Sequence, residues 1–306
     1  MNFRLQKSYL VGLILGTTTL PSFASVLYQC NGGQDDTVCQ ISYGNTKDKY
    51  PSEAITQSVI SEILSKNKKA KNLTIEFTTG KYQVYPIKIS KINNLTLLWD
   101  AGAQLYAIPY SKKKSNGWDG ADQLISFVQC NNLVLKGAAP SANQLDNNKP
   151  KPDTTMPSII DGQGQDWWEA KDKYGINAPY LMEFAKINHL TITDLQISNS
   201  PSFHLKIQDS TDVKIDQILI HSEQKSPNTD GINMSTVSGV TITNSTIYNG
   251  DDGIAFNSGN NAPCSNANIN NIDLYYGHGI SFGSTINSNI ENMDIEHYNE
   301  PNCQTI

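Results

Sequence analysis

The 306-residue chain sets 23 Lys and Arg against 29 Asp and Glu, a net charge of −6, with only 17% of its residues charged. A chain this acidic has no broad basic face to offer, which excludes nucleic-acid binding as its main role. Its length suits one large all-β domain or two ordinary ones; abundant Asn, Thr and Ser among short β-branched runs favour many short strands over long exposed helices.

The chain opens with Arg4 and Lys7, an apolar run over 9–15 and a small-x-small site at Ser22-Phe23-Ala24. This pattern predicts a secretory signal over 1–24 and a secreted product, extracellular or periplasmic, in which 25–306 form one domain. A membrane anchor would need about 18 or more consecutive apolar residues, and Thr17–Thr19 interrupt this run. Without Arg4 and Lys7, 21 basic residues face 29 acidic ones, a net of −8, so an anionic polymer would need local cationic partners. Cys30, Cys39, Cys130, Cys264 and Cys303 remain; the first two can close a small loop, and the odd count leaves at least one thiol over. No CxxC pair or His/Cys metal spacing occurs, so neither a metal nor a cofactor is expected.

Residues 51–65 place Ile55, Val59, Ile60, Ile63 and Leu64 on one helical stripe that starts near Pro51 or Ser52. One amphipathic helix is expected there, covering the open end of a sheet. Beyond it a single theme recurs, an Asn-rich turn followed by alternating apolar residues. The first apolar residues of its copies stand at 73, 95, 133, 190, 213, 240, 269 and 290, with spacings of 22, 38, 57, 23, 27, 29 and 21. A strand-bearing repeat of roughly 20–30 residues predicts a solenoid whose coils bury their apolar faces against each other. The LxxLxL frame of leucine-rich repeats is absent, so the expected fold is an all-β, single-stranded parallel β-helix. The two wide spacings hold the polar segments 111–122 and 138–158, expected to be loops flanking a groove.

Three successive coils carry the pairs Asp230-Gly231-Ile232, Asp252-Gly253-Ile254 and His278-Gly279-Ile280, offset by 22 and 26 residues. If each Ile points inward at the same rung, Asp230, Asp252 and His278 form one column, with Asp251 beside its middle member. Neighbouring strands lie about 4.8 Å apart, so the column fits one substrate-sized patch. Stacked acids repel and push one pKa upward, a cost that structure alone does not require. Asp251 and Asp252 can both face a groove if they sit at a turn.

These residues resemble the polygalacturonase family, glycoside hydrolase family 28: Asn228-Thr229-Asp230, Asp251-Asp252 and Gly277-His278-Gly279 are similar to three of its hallmark motifs in order and spacing. Ile160-Asp161-Gly162-Gln163-Gly164 with Trp167-Trp168, and Asn199-Ser200-Pro201, extend the resemblance over 73–284. It implies a right-handed, pectin-lyase-like β-helix that acts as a monomer on a pectic polysaccharide, hydrolysing α-1,4-galacturonosyl bonds with inversion. It further implies that Asp251 is the general acid, that Asp230 and Asp252 hold and activate water, that His278 orients the acid, and that Asn228 contacts substrate. Inverting hydrolysis needs one acid and one base on either side of the scissile bond, with room for water.

Two departures stand out. Gly253 occupies a position where many relatives carry Cys, a change expected to affect packing. The family's Arg-Ile-Lys segment, which binds the sugar carboxylate, has no counterpart, since no Arg or Lys follows Lys225. The resemblance therefore implies a C-terminally truncated product with weakened galacturonate affinity, an unpaired last strand edge and no basic residue at the cluster. Two other readings are a Ca²⁺-dependent pectate lyase, with the aspartates as oxygen ligands, and a non-catalytic glycan-binding or surface β-helix. The absent base argues against the lyase.

Overall fold

The computed structural model describes residues 27–42, 54–110, 123–138, 145–146, 149–150, 156–259 and 262–300. The signal segment, Cys303 and the loop 111–122 lie outside them, as does most of 138–158. Among the described residues no helix is long and apolar enough to cross a membrane.

The strands wind into a right-handed parallel β-helix of three sheets. The first sheet stacks Asp36–Ser42, Asn72–Phe77, Asn93–Trp99, Asn131–Lys136 and Asn188–Thr193, then parts of Leu205–Asp216, Ile232–Asn249, Cys264–Tyr276 and Ile290–Asn299. The second runs from Ala54–Ile55 through Gly80–Val84, Ala103–Ala107, Ile159–Asp161, Gln196–Ser198 and Leu219–His221 into the later halves of the long strands. The third holds Ile87–Ser90, Gln123–Val128, Tyr180–Ala185 and the starts of Leu205–Asp216 and Ile232–Asn249, then Ile254–Ser258 and Ile280–Ile286.

Register follows the repeat closely. Leu73, Leu95, Leu133, Leu190, Val213 and Val240 pair in one inward column, all buried. Each buried aliphatic side chain in such a column contributes about 1.5–3 kcal/mol. The next two rungs are Ala267 and Met293 instead of Ile269 and Ile290. Alanine is too weakly apolar to mark the start of a run, and Ile269 fills the following inward position. Directly before these rungs stand Asn94, Asn132, His189, Asp212, Gly239, Asn266 and Asn292, all with φ between 53° and 72°. Asn and Gly tolerate this left-handed conformation best, which explains the Asn-rich turns. Side chains link the turns from coil to coil, as in Asn132 Nδ2 to Asn94 Oδ1 (2.9 Å) and Asn292 Nδ2 to Asn266 Oδ1 (3.1 Å).

The amphipathic helix exists but starts later than expected, as α1 (Gln57–Lys66). Ile55 is drawn into the second sheet beside Val84, while Ile60 and Ile63 are buried against the end of the core. Gln57 shows how α1 closes a sheet: its side-chain amide accepts from Lys88 N (2.6 Å) and donates to Lys88 O (3.0 Å), pairing with the first strand of the third sheet as a peptide would. Cys30 and Cys39 face each other across an antiparallel pair and form a disulfide; Cys130 and Cys264 are buried free thiols. At the other end, Ile280–Ile286 and Ile290–Asn299 pair on one side only among the described residues, and Phe282, Ile286 and Tyr298 are exposed.

A second helix, α2 (Gln165–Tyr174), has no counterpart in the sequence expectations. It buries Trp167 and Trp168, and the Trp168 Nε1–H donates to Ser200 O (3.0 Å). The paired tryptophans are therefore packing residues.

Candidate active site

The cluster lies where the chain turns from the second sheet into the third on three consecutive coils. Ile232, Ile254 and Ile280 are in register, as the three Gly-Ile pairs predict. Backbone bonds stack the turns above one another: Gly231 N donates to Asp252 O (2.9 Å), Gly253 N to Gly279 O (2.8 Å) and His278 N to Asp251 O (3.0 Å). The approach is close enough to demand glycine. A Cβ on Gly277, whose φ is 43°, would stand 2.1 Å from Asp251 O. A Cβ on Gly253 would meet Gly279 O at 2.9 Å, so the change noted at that position does bear on packing.

Asp251 and Asp252 occupy a turn and face the same way, as their position before Gly253 allows. His278 Nδ1 lies 3.4 Å from Asp251 Oδ1 and 3.2 Å from Asp252 Oδ1, and all three side chains are about a quarter exposed (27%, 22% and 27% for Asp251, Asp252 and His278). Ser281 Oγ donates to Asp252 Oδ2 (2.6 Å). The turn is held by Asn249, buried below it, whose Nδ2 is shared among Thr229 O, Asp251 O and Asp252 O at 3.1, 2.9 and 2.7 Å. Thr229 Oγ1 completes the support by accepting from Gly250 N (3.0 Å).

Asp230 is the buried member, 4% exposed, and accepts from Asn233 Nδ2 (2.7 Å). Burial pushes its carboxyl up to about 7; repulsion from Asp251 and Asp252 adds to the shift and the Asn233 bond opposes it. The expected upward shift is thus present, with burial ahead of repulsion as its cause. Beneath Asp230 lies His204, fully buried, with Nδ1 at Asp230 O (2.9 Å) and Nε2 at Ser222 Oγ (2.8 Å). Burial lowers this imidazole to about 4. Asn228 sits exposed at the rim with φ 56°, and Lys171 of α2 donates to its Oδ1.

The structure corrects the expectation that no basic residue stands at the cluster. Lys206 donates to Asn233 Oδ1 (2.6 Å), two hydrogen bonds from Asp230, and Lys171 reaches Asn228. Asn233, Asn249, Ser281, His204 and Lys206 all went unread in the sequence. Only Asn249 carries a local signal, directly before Gly250-Asp251-Asp252; the others are brought in by register across coils. Oxygen and nitrogen atoms of Asp251, Asp252 and His278 lie within 4.8 Å of one another, a donor set that also suits a cation.

Fold and site together define a pectin-lyase-like solenoid with a carboxylate–imidazole cluster on one flank. The family described as "Glycosyl hydrolases family 28" matches residues 153–303, the part that carries the cluster. A polygalacturonase of Prunus persica is 37% identical over 134 residues, 43% of this chain and 33% of that protein. A probable polygalacturonase of Arabidopsis thaliana is 34% identical over 187 residues, 61% of this chain and 35% of that protein. Among solved structures, the polygalacturonase of Erwinia carotovora ssp. carotovora superposes with a TM-score of 0.64 at 20% identity, covering 93% of this chain and 72% of that one. The endo-xylogalacturonan hydrolase of Aspergillus tubingensis gives 0.58 at 23% identity, covering 81% and 60%. The likeness to glycosyl hydrolase family 28 runs through residues 153–303. The chain spans about a third of the length of these curated relatives.

Proposed function

We propose that the chain hydrolyses α-1,4-galacturonosyl bonds of pectin or polygalacturonate by an inverting acid/base mechanism, outside the cytoplasm. The observation that carries this reading is the register of Ile232, Ile254 and Ile280, which gathers Asp230, Asp251, Asp252 and His278 from three turns. Asp251 gives its proton to the glycosidic oxygen as the bond to the anomeric carbon breaks. Water attacks that carbon from the opposite face and yields its proton to Asp252, which Ser281 and His278 hold in place. Asp230, protonated below about 7, fixes the water from the other side. His278, within reach of both Asp251 and Asp252, sets their spacing. Asn228 touches substrate at the rim. Polygalacturonases among the relatives support the substrate, and the N-terminal pattern with the Cys30–Cys39 disulfide supports export.

The test is release of reducing ends from polygalacturonate by the purified chain and by its Asp251→Asn variant. Turnover by the parent and a loss of about a hundredfold or more in the variant, with binding retained, are expected. No turnover by the parent, or an undiminished variant, would overturn the reading. Unsaturated products that absorb in the ultraviolet and require Ca²⁺ would assign β-elimination instead, with Asp251, Asp252 and His278 as ligands.

A further inference from the structure

Lys206 lies on the outward face of the third sheet, in register with Asn233 on the next coil and Glu183 on the previous one. An ammonium has three donors, and among the described residues Lys206 donates to one side chain, at Asn233 Oδ1 (2.6 Å). Glu183 is engaged elsewhere, accepting from Gln208 Nε2 (3.1 Å) and Ser126 Oγ (3.5 Å). Among the described residues, then, this half-buried ammonium forms no ion pair. Beyond the Asn233 bond it has the Phe203 ring face, a cation–π contact, and the longer-range pull of Asp230 and Glu183, so a direct charge partner can still be added.

Two aromatic rings stand beside this ammonium. Lys206 Nζ stands 5.6 Å from the Phe203 ring centre, and Phe203 stacks on Tyr180 with centroids 4.9 Å apart and planes at 11°. Both rings are half-buried and keep part of their surface open, and an aromatic face beside a polar anchor suits the apolar side of a pyranose. The ammonium is tied to the reacting cluster through Asn233, whose Nδ2 donates to Asp230 Oδ2 (2.7 Å).

We infer that Lys206 is a specificity-determining residue that anchors a carboxylate of an acidic glycan beside the cluster, with Phe203 and Tyr180 supporting the sugar ring. The inference rests on the proposed reading that the cluster acts on a pectic polymer, and it supplies the local cation that such a substrate requires. Burial draws the free ammonium below the usual lysine range, against the pull of Asp230 and Glu183. A bound carboxylate would restore it.

Binding, not turnover, separates this inference from the hydrolase reading. Calorimetric titration of the full chain with a short oligogalacturonate and with its carboxyl-reduced, neutral counterpart is the measurement. Lys206→Met is expected to weaken the acidic oligomer about tenfold or more, the worth of one charge-assisted bond, and to leave the neutral one within about twofold. Lys206→Arg, which keeps the charge, should retain most of the affinity, and its circular dichroism should match the parent. Equal losses for both oligomers, an unchanged acidic affinity in Lys206→Met, or no binding of the acidic oligomer to the parent would each overturn the inference. A parent that releases no reducing ends yet binds the acidic oligomer through Lys206 would sink the hydrolase reading and leave the anchor standing.

Discussion

Replacing Asp230 by Asn should change how the stability of the protein depends on pH. Asp230 ionises at about 7 when folded, against 3.8 when free. A raised carboxyl favours the folded state fully below its unfolded value and loses that contribution as pH climbs through the folded one. Three pKa units correspond to about 4 kcal/mol, lost between roughly pH 4 and 7. His204 acts in the opposite sense. Its folded value of about 4 lies below the ordinary 6.5, so its contribution is present above 6.5 and disappears as pH falls through 4, about 3 kcal/mol in all. In the parent the two groups nearly cancel. Asp230→Asn keeps an acceptor for Asn233 but removes the titration, leaving the His204 slope exposed. Urea unfolding of both proteins at about pH 4 and pH 7.5 measures the difference: the variant should gain about 4 kcal/mol on the parent between the two. Parallel stability curves would refute the assignment of the buried proton to Asp230.

Two further changes probe the turns. Asn249→Ala removes the amide shared by Thr229, Asp251 and Asp252; a loss of about 2–3 kcal/mol is expected in chemical denaturation, with a fall in any hydrolytic turnover. Gly277→Ala sets a Cβ against Asp251 O at a φ of 43°, so a cost of about 1–3 kcal/mol and displacement of His278 should appear together, the latter as a lowered kcat.

Much of the fold was legible because the inward column is nearly periodic. Leu73 to Val240 mark six rungs in register, and the last two differ, where Ala267 gives too little apolar signal and Ile290 stands ahead of the rung residue Met293. The cluster was legible for a related reason: a glycine followed by an inward Ile recurs at the same rung, so the residue before each glycine must stack. Lys206 and Asn233 were hidden because they lie at outward positions, 27 residues apart, where neither alternation nor motif marks them. Helix α2 escaped because its ten residues offer only Trp167, Trp168 and Ala170 as a buried stripe. Its Gly175 stop, at φ 63°, is the local mark of its end in the sequence.

In a solenoid each coil leans only on the one before and the one after. The Lys206, Asp230, Asp251–Asp252 and His278 positions are thus links in a queue, added in chain order. The last of them stands on the coil that includes Ile280–Ile286, whose outer edge has no partner among the described residues. Loosening from that side takes the imidazole first, the paired carboxyls next and the buried Asp230 last. The geometry of the cluster thus depends on how far the stack is closed at that end.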